Sequence, residues 1–340
     1  MFKSSKIKSI KLIGKQMVYD LSVENDHSFI ANGIVVHNCV APNIQNIPRG
    51  HTAGDIKKFF IAPKGYVILQ LDYAQAELRV MAEMANETSM IEAFATDKDI
   101  HTATACKKYG ADYDMVSKIL KDATHKDNAT WTKRRKQAKT INFGIIYCQG
   151  PKALAESLSE PAKDGKPAIV VTKEQAAQFL KDFDRDFPRV NKFIAKQQRL
   201  AREQGFVRTM FGRKRRLPDL YSPIDGLRME AERQAVNAPV QGTASDFALL
   251  SSVLIEQYKD PKWKCHQIYT VHDSIGFYIL PQYVHEAVTL FSKIVQNPQT
   301  KRWFGFEMKK VKMLADFEVG LTWRDLSKYS PSEDYTKLIK

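Results

Sequence analysis

Cysteine is scarce in this chain. Its 340 residues hold four, Cys39, Cys106, Cys148 and Cys265, scattered and without the spacing of a metal site. A disulfide scaffold is excluded, and this usage fits a reduced intracellular compartment. Long hydrophobic runs are missing too: none reaches the ~18–20 residues needed to cross a bilayer. The first residues, MFKSSKIKSIKL, never build the apolar core of a signal peptide. The expectation is a cytoplasmic protein with no membrane partner. Acidic residues are outnumbered, 38 Asp+Glu against 52 Lys+Arg, which leaves +14. An excess of this size points to a polyanionic partner, nucleic acid before a membrane surface. Repeats and low-complexity tracts are absent. The 44% of apolar residues can fill the cores of two or three domains, so wholesale disorder is excluded.

Residues 1–38 differ from the rest. KIKSIKLIG, MVYDLSVE, HSFIA and GIVVHN are short β-type runs separated by polar or glycine-containing breaks. Five Lys against Asp20, Glu24 and Asp26 give this stretch +2, so the other 302 residues carry +12. After an irregular segment to residue 55, YVILQL (66–71) reads as a buried strand, and a helical pattern begins near Ala74. Residues 99–160 read mostly as helices, KDGKP (163–167) as a polar turn, and 173–204 as two helices broken near Phe187-Pro188. GFVRTMFGRKRRLP reads as a hairpin with a basic end. Residues 226–258 form a helical region expected to be interrupted at Ala238-Pro239. Residues 268–279 form a hairpin with His272-Asp273 at its tip, and the polar tail after 321 is expected to fray.

Three constellations carry chemistry. The first is His37-Asn38-Cys39. The side-chain amide nitrogen of an Asn can attack its own backbone carbonyl, forming a succinimide and cleaving the following peptide bond. A preceding His can polarise that carbonyl, and a following Cys thiolate can accept an acyl group as a thioester. An S-to-N shift then leaves a normal peptide bond. The triplet alone is common in loops, but the preceding residues, with Asp26-His27 and Phe29, closely resemble the C-terminal blocks of inteins. Thirty-eight residues are too few for a whole splicing domain. The resemblance therefore implies the C-terminal fragment of a split intein, whose partner is a separate polypeptide.

The second constellation is Asp72, after YVILQL, and Asp273, at a hairpin tip in IYTVHDSIGFYI, 201 positions apart. A carboxylate beside an apolar strand is costly unless paired. A turn role or a salt bridge would explain either; a shared divalent cation would explain both. Mg²⁺ takes one or two carboxylates plus substrate phosphates. Two such ions about 4 Å apart serve in-line phosphoryl chemistry. The third is Arg135, Lys139, Phe143 and Tyr147, spaced by four, which form one drifting helical stripe about 18 Å long. Cations at one end suit a triphosphate, and rings at the other suit stacking on a base or sugar. A core stripe would not place Arg and Lys in register with Phe and Tyr.

Together these residues resemble a family A DNA polymerase, the bacterial polymerase I type also used by many phages. LDYAQAELRVMAEMA is similar to motif A, RRKQAKTINFGIIY to motif B and VHDS to motif C. PNIQNIP, DIHTATA, FGRKRRLPDL and ERQAVNAPVQGTASDF match further blocks in the family's order, from Pro42 to ADFEVGLTW near 315–323. The resemblance implies an α+β fold: a polymerase palm built on an antiparallel sheet, helical fingers, and a short all-β intein fragment ahead of them. The implied boundaries are 1–38 for the intein fragment, 39–98 for the first part of the palm, 99–225 for the fingers and 226–340 for the second part of the palm. By position, Asp72 and Asp273 would hold two Mg²⁺ ions, with Mn²⁺ able to substitute. Glu77 would be the steric gate against a ribose 2′-hydroxyl. Arg135, Lys139 and His101 would hold the triphosphate, Phe143 would pack on the sugar, and Tyr147 would guard the templating position. Arg233, Asn237 and Gln241 would contact primer and template, His272 would support the primer end, and Arg49 would reach the substrate.

The pattern departs from the family in two places. Ser274 stands where the family usually has Glu, and Cys148-Gln149 replaces a Gly-led continuation. The thumb and first palm strands, which precede motif A in the family, are not in this chain. The implied partners are therefore an N-terminal polymerase half carrying the N-terminal intein fragment, primer–template DNA and deoxynucleotides. Two alternatives remain: a catalytically silent nucleic-acid-binding remnant, and a single-subunit RNA polymerase, against which Glu77 argues. A Ser-His-Asp hydrolase on His272, Asp273 and Ser274 is disfavoured, because neighbouring strand residues alternate in direction.

Overall fold

The computed structural model describes residues 28–31, 34–37, 56–159 and 170–339. The chain divides into two compact units, Met1–Ile61 with Thr322–Asp325, and Ala62–Leu321 with Leu326–Lys340. In the first unit, strands β1 (Ser28–Ala31) and β2 (Ile34–His37) pair antiparallel, Ser28 opposite His37. A 3₁₀ turn at Ile56–Phe59 leads to a bridge between Ile61 and Thr322. There the Phe60 ring meets Trp323 edge-on at 5.1 Å. Asp26, His27, Asn38 and Cys39, expected to take part in splicing, and with them Arg49, lie outside the described residues; His37 is described as strand backbone only. The KDGKP turn is likewise outside them.

The second unit begins with β3 (Val67–Tyr73), then helices α1 (Ala76–Ala85), α2 (Thr88–Ala95), α3 (Ile100–Tyr109), α4 (Tyr113–Lys121), α5 (Asn128–Ile146) and α6 (Pro151–Leu158). Helices α7 (Lys173–Asp186) and α8 (Pro188–Gln204) follow, then the hairpin β4 (Phe206–Arg208) and β5 (Lys214–Arg216). The long helix α9 (Asp225–Tyr258) leads to the hairpin β6 (His266–Val271) and β7 (Ser274–Ile279). Helices α10 (Val284–Gln296) and α11 (Thr300–Phe304) and strands β8 (Ala315–Gly320) and β9 (Ser327–Lys328) complete it. Local signals set many of these ends. The Asp99 and Asp112 carboxylates cap α3 and α4, Thr172 and Gln175 form a capping box on α7, and Pro188 opens α8.

The central sheet has five strands in the order β6-β7-β3-β8-β9, all antiparallel. Strand alternation divides its two faces. On one face Val67, Leu69 and Leu71 lie opposite Ile279, Phe277 and Ile275, all buried, and Phe277 packs on Phe291 of α10 at 4.9 Å. On the other face Gln70 and Asp72 lie opposite Gly276 and Ser274. A slip of one residue would turn Asp72 into the core, so burial of the apolar face holds the polar face in register. The mixture of helices with an antiparallel sheet agrees with the expected class.

Gly276 is required by close approach. A Cβ there would come within 2.2 Å of the Tyr269 ring, whose hydroxyl donates to Gln70 Oε1 at 2.7 Å. Gly276→Ala must displace that ring and should destabilise the protein by about 1–3 kcal/mol, the usual range for overpacking. Denaturant or thermal melting measures this, and an unchanged midpoint would contradict the packing described.

Two expectations are corrected. Helix α9 runs unbroken through Pro239, which lies inside it and is buried. Proline removes one backbone bond, at a cost of about 3 kcal/mol. Burial of Val236, Val240, Ala244, Phe247 and Ala248 along the same stretch offsets it. The tail after 321 does not fray. Strand β9 pairs with β8, Tyr335 is buried against Tyr329, and His285 binds both the Tyr329 hydroxyl, at 2.9 Å, and the Glu333 carbonyl, at 3.0 Å.

Candidate active site at the head of the central sheet

Asp72 lies within β3 rather than just after it, and Asp273 lies in the turn between β6 and β7. The Tyr73 N–H donates to the Asp273 carbonyl at 3.1 Å, so the turn between β6 and β7 lies beside the end of β3. Ser274, directly opposite Asp72, donates its hydroxyl to Asp72 Oδ1 at 2.6 Å. That bond fixes the Asp72 carboxylate and commits the Ser274 hydroxyl to Asp72, outside any relay through His272. His272 has φ 55, a left-handed conformation at the tip of the turn.

Glu77 stands in the first turn of α1. Its carboxylate accepts from the Tyr147 hydroxyl at 2.9 Å. Burial, and secondarily the Asp273 charge, hold the Glu77 carboxyl above its ordinary range against the opposing effect of the Tyr147 bond. Burial and the Glu77 and Asp273 charges likewise push the Tyr147 phenol up, so Tyr147 keeps its proton and donates it; Gln241 also bonds to Tyr147. The Asp273 charge is thus felt at both members of the Glu77–Tyr147 pair.

The stripe on α5 has the accessibility that its composition implied. Lys139 is exposed, while Arg135, Phe143 and Tyr147 are half-buried; Ala138, Ile141 and Ile145 point the other way into cores. Tyr147 falls just past the last helical turn. Phe143 stacks with Tyr147 at 5.8 Å, and the His101 ring lies 5.6 Å from Phe143. Asn142 donates to His101 Nδ1 at 3.1 Å, which leaves the proton of the neutral ring on Nε2 as a donor. Burial, helped by the Arg135 and Lys139 charges, lowers the His101 pKa to about 4 against the opposing Asp99 charge, so the ring is neutral at pH 7.

The residues on α9 are less uniform. Gln241 reaches Tyr147. Asn237 presents a buried Oδ1 with no hydrogen-bond partner among the described residues. Arg233 is paired with Glu230 one turn away. Sequence reasoning missed Asp99 as the partner of Arg135, Asn142 as the residue that sets the His101 tautomer, and Ser274 as a donor to Asp72. Only Asp99 had a local signal, its place three residues before Thr102 at a helix start.

The donor set at Asp72 and Asp273 suits a hard cation. Mg²⁺ takes few protein carboxylates and completes its shell with water and phosphate oxygens. Among the described residues no group of three or more His, Cys, Asp and Glu could hold a metal by itself.

Residues 37–325 match the sequence model of DNA polymerase family A. The chain belongs to that family. The chain is 33% identical over 257 residues to the thermostable DNA polymerase I of Thermus filiformis, covering 75% of this chain and 28% of that protein. It is 34% identical over 236 residues to DNA polymerase I of Pseudomonas aeruginosa, covering 69% and 23%. The chain thus spans less than a third of the length of these relatives. Among solved structures, it resembles the POL domain of Pol1 from M. smegmatis, in complex with DNA primer-template and dNTP. The TM-score is 0.68 and the identity 26%, covering 84% of this chain and 45% of that one. Among the described residues no helix is long and apolar enough to cross a membrane.

Proposed function

We propose that this chain supplies the fingers and the catalytic part of the palm of a DNA-directed DNA polymerase, and that its first 39 residues carry a splicing junction that joins it to an upstream half. The proposed parts are 1–38 as the C-terminal split-intein fragment, 39–98 and 226–340 as palm, and 99–225 as fingers. The observation that carries the polymerase reading is the approach of the turn bearing Asp273 to the Asp72 end of β3, beside a Glu77–Tyr147 bond that ties α1 to the end of α5.

In this reading Lys139, Arg135 and the Nε2–H of neutral His101 donate to triphosphate oxygens, and Phe143 packs on the sugar. Arg233, Asn237 and Gln241 face primer and template, with His272 and Arg49 close to the substrate. Ser274 keeps the Asp72 carboxylate in one orientation. When bound, two Mg²⁺ ions, or Mn²⁺ in their place, supply activation of the primer 3′-hydroxyl and stabilisation of the leaving pyrophosphate. The bond formed joins the primer 3′ oxygen to the α-phosphorus; the bond broken releases pyrophosphate. The partners are primer–template DNA, deoxynucleotides and the upstream half, in the cytoplasm of a bacterial or phage-infected cell. The basic excess of +14 suits the DNA phosphates.

Sugar choice tests this reading against a nucleic-acid-binding remnant and an RNA polymerase. Glu77 is held by Tyr147, which fixes its bulk near the proposed sugar position. Glu77→Ala in the joined enzyme should raise ribonucleotide relative to deoxynucleotide incorporation by about 10-fold or more, because a steric and polar clash is removed. Single-nucleotide incorporation with each sugar measures the ratio. An unchanged ratio would remove Glu77 from the gate. No incorporation by the parent enzyme would reject the polymerase reading, and a preference of the parent for ribonucleotides would favour an RNA polymerase.

A further inference from the structure

We infer that Asp99 is a positioning residue for nucleotide capture: it fixes the Arg135 guanidinium so that its remaining donors meet the triphosphate. This rests on the reading of Arg135 as a phosphate-binding group. Asp99 caps α3, and its two carboxylate oxygens are fully engaged. Oδ2 accepts from the Thr102 N–H at 2.8 Å, the Thr102 hydroxyl at 2.6 Å and Arg135 Nε at 2.8 Å. Oδ1 accepts from an Arg135 Nη at 3.1 Å and from Gln75 Nε2 at 3.3 Å. The Asp99 N–H donates to the Tyr113 hydroxyl at 2.8 Å. One residue thereby ties the entry to α1, the start of α3, the start of α4 and the middle of α5.

The pairing is side-on and bidentate, the geometry that orients a guanidinium most strictly. Of the five N–H donors of an arginine, it uses two and leaves three. Arg135 is 42% exposed, so without this pairing its long side chain would sample several rotamers and lose them only on binding. Asp99 stays ionised in this setting: burial pushes its carboxyl up, but the hydrogen bonds from Arg135 and Thr102 outweigh burial and leave it below the ordinary range. Two residues on, His101 presents its Nε2–H, and one turn along α5 stands Lys139. Asp99 thus sits behind a row of three donors and is the anion that holds the first of them in place.

Helix capping alone would also explain the hydrogen bonds made by Asp99, so the test separates the two roles. Asp99→Asn keeps an oxygen for the Thr102 N–H, and Asn caps helices as well as Asp, but it removes the charge from Arg135. In the joined polymerase, Asp99→Asn should raise the deoxynucleotide KM about 10-fold, with kcat changing less than KM. Arg135→Ala should raise KM at least as much, and Asp99→Asn should add nothing to it. Positioning is overturned if Asp99→Asn leaves KM unchanged or lowers it, or if it raises KM equally in the Arg135→Ala background. If Arg135→Ala itself leaves KM unchanged, the triphosphate reading of Arg135 is what fails, and the positioning role falls with it.

Discussion

Asp72→Asn and Asp273→Asn should each lower primer extension by 10³-fold or more while leaving DNA binding intact. Asparagine keeps the size of aspartate and one of its oxygens. At position 72 that oxygen can still accept from the Ser274 hydroxyl, now at 2.6 Å from Asp72, and the strand pairing with β7 and β8 involves backbone alone. The fold should therefore persist. What disappears is a negative charge from the pair proposed to share a cation completed by substrate. A factor of 10³ corresponds to about 4 kcal/mol of barrier, well within what loss of metal-assisted activation can remove. Binding to primer–template rests on Lys and Arg spread over the chain and should retain its steep dependence on salt. The measurement is primer extension in Mg²⁺ beside a binding titration on the same DNA. Near-normal extension by either variant would refute the shared-metal assignment. Loss of DNA binding in step with activity would mean that the variant had misfolded, and circular dichroism on the same sample checks that.

The second large effect concerns the junction at Asn38. Asn38→Ala removes only the side-chain amide that would attack the backbone carbonyl, so cleavage between residues 38 and 39 should stop while the fragments still associate. Cys39→Ala removes the acyl acceptor, so ligation should stop although cyclisation at Asn38 remains chemically open. In each case ligated product should fall below detection, because no neighbouring group can replace a nucleophile within the same backbone. Co-expression with the upstream half, followed by mass analysis of the products, reads both outcomes. Normal ligated product from either variant would exclude the splicing reading and leave the polymerase reading untouched.

Much of the fold was legible because its signals are local. The apolar run YVILQL and the alternation in IYTVHDSIGFYI marked strands, and Phe187-Pro188 marked a break that the structure keeps between α7 and α8. The spacing by four was enough to place Arg135, Lys139 and Phe143 on one accessible face of α5, with Tyr147 at its end. Local signals misled where packing outweighed them. Pro239 reads as a helix breaker, yet α9 continues through it because apolar neighbours on that stretch are buried. The polar tail reads as frayed, yet His285 and Tyr329 hold it.

By itself the sequence determined which residue types recur at which period, and hence the strands, the helical faces and the motifs they carry. Only the tertiary structure decided which of those residues meet. Ser274 reaches Asp72 across 202 positions, Tyr147 reaches Glu77 across 70 and Arg135 reaches Asp99 across 36. None of these pairs lies within a helical turn or at a short hairpin offset, so no periodicity could reveal them. Their proximity follows from strand register, set by burying Val67, Leu69 and Leu71 against β7, and from the packing of α3 on α5. Burial of apolar surface chooses those arrangements for the whole chain at once, and the polar contacts at the site are made where that burial leaves them.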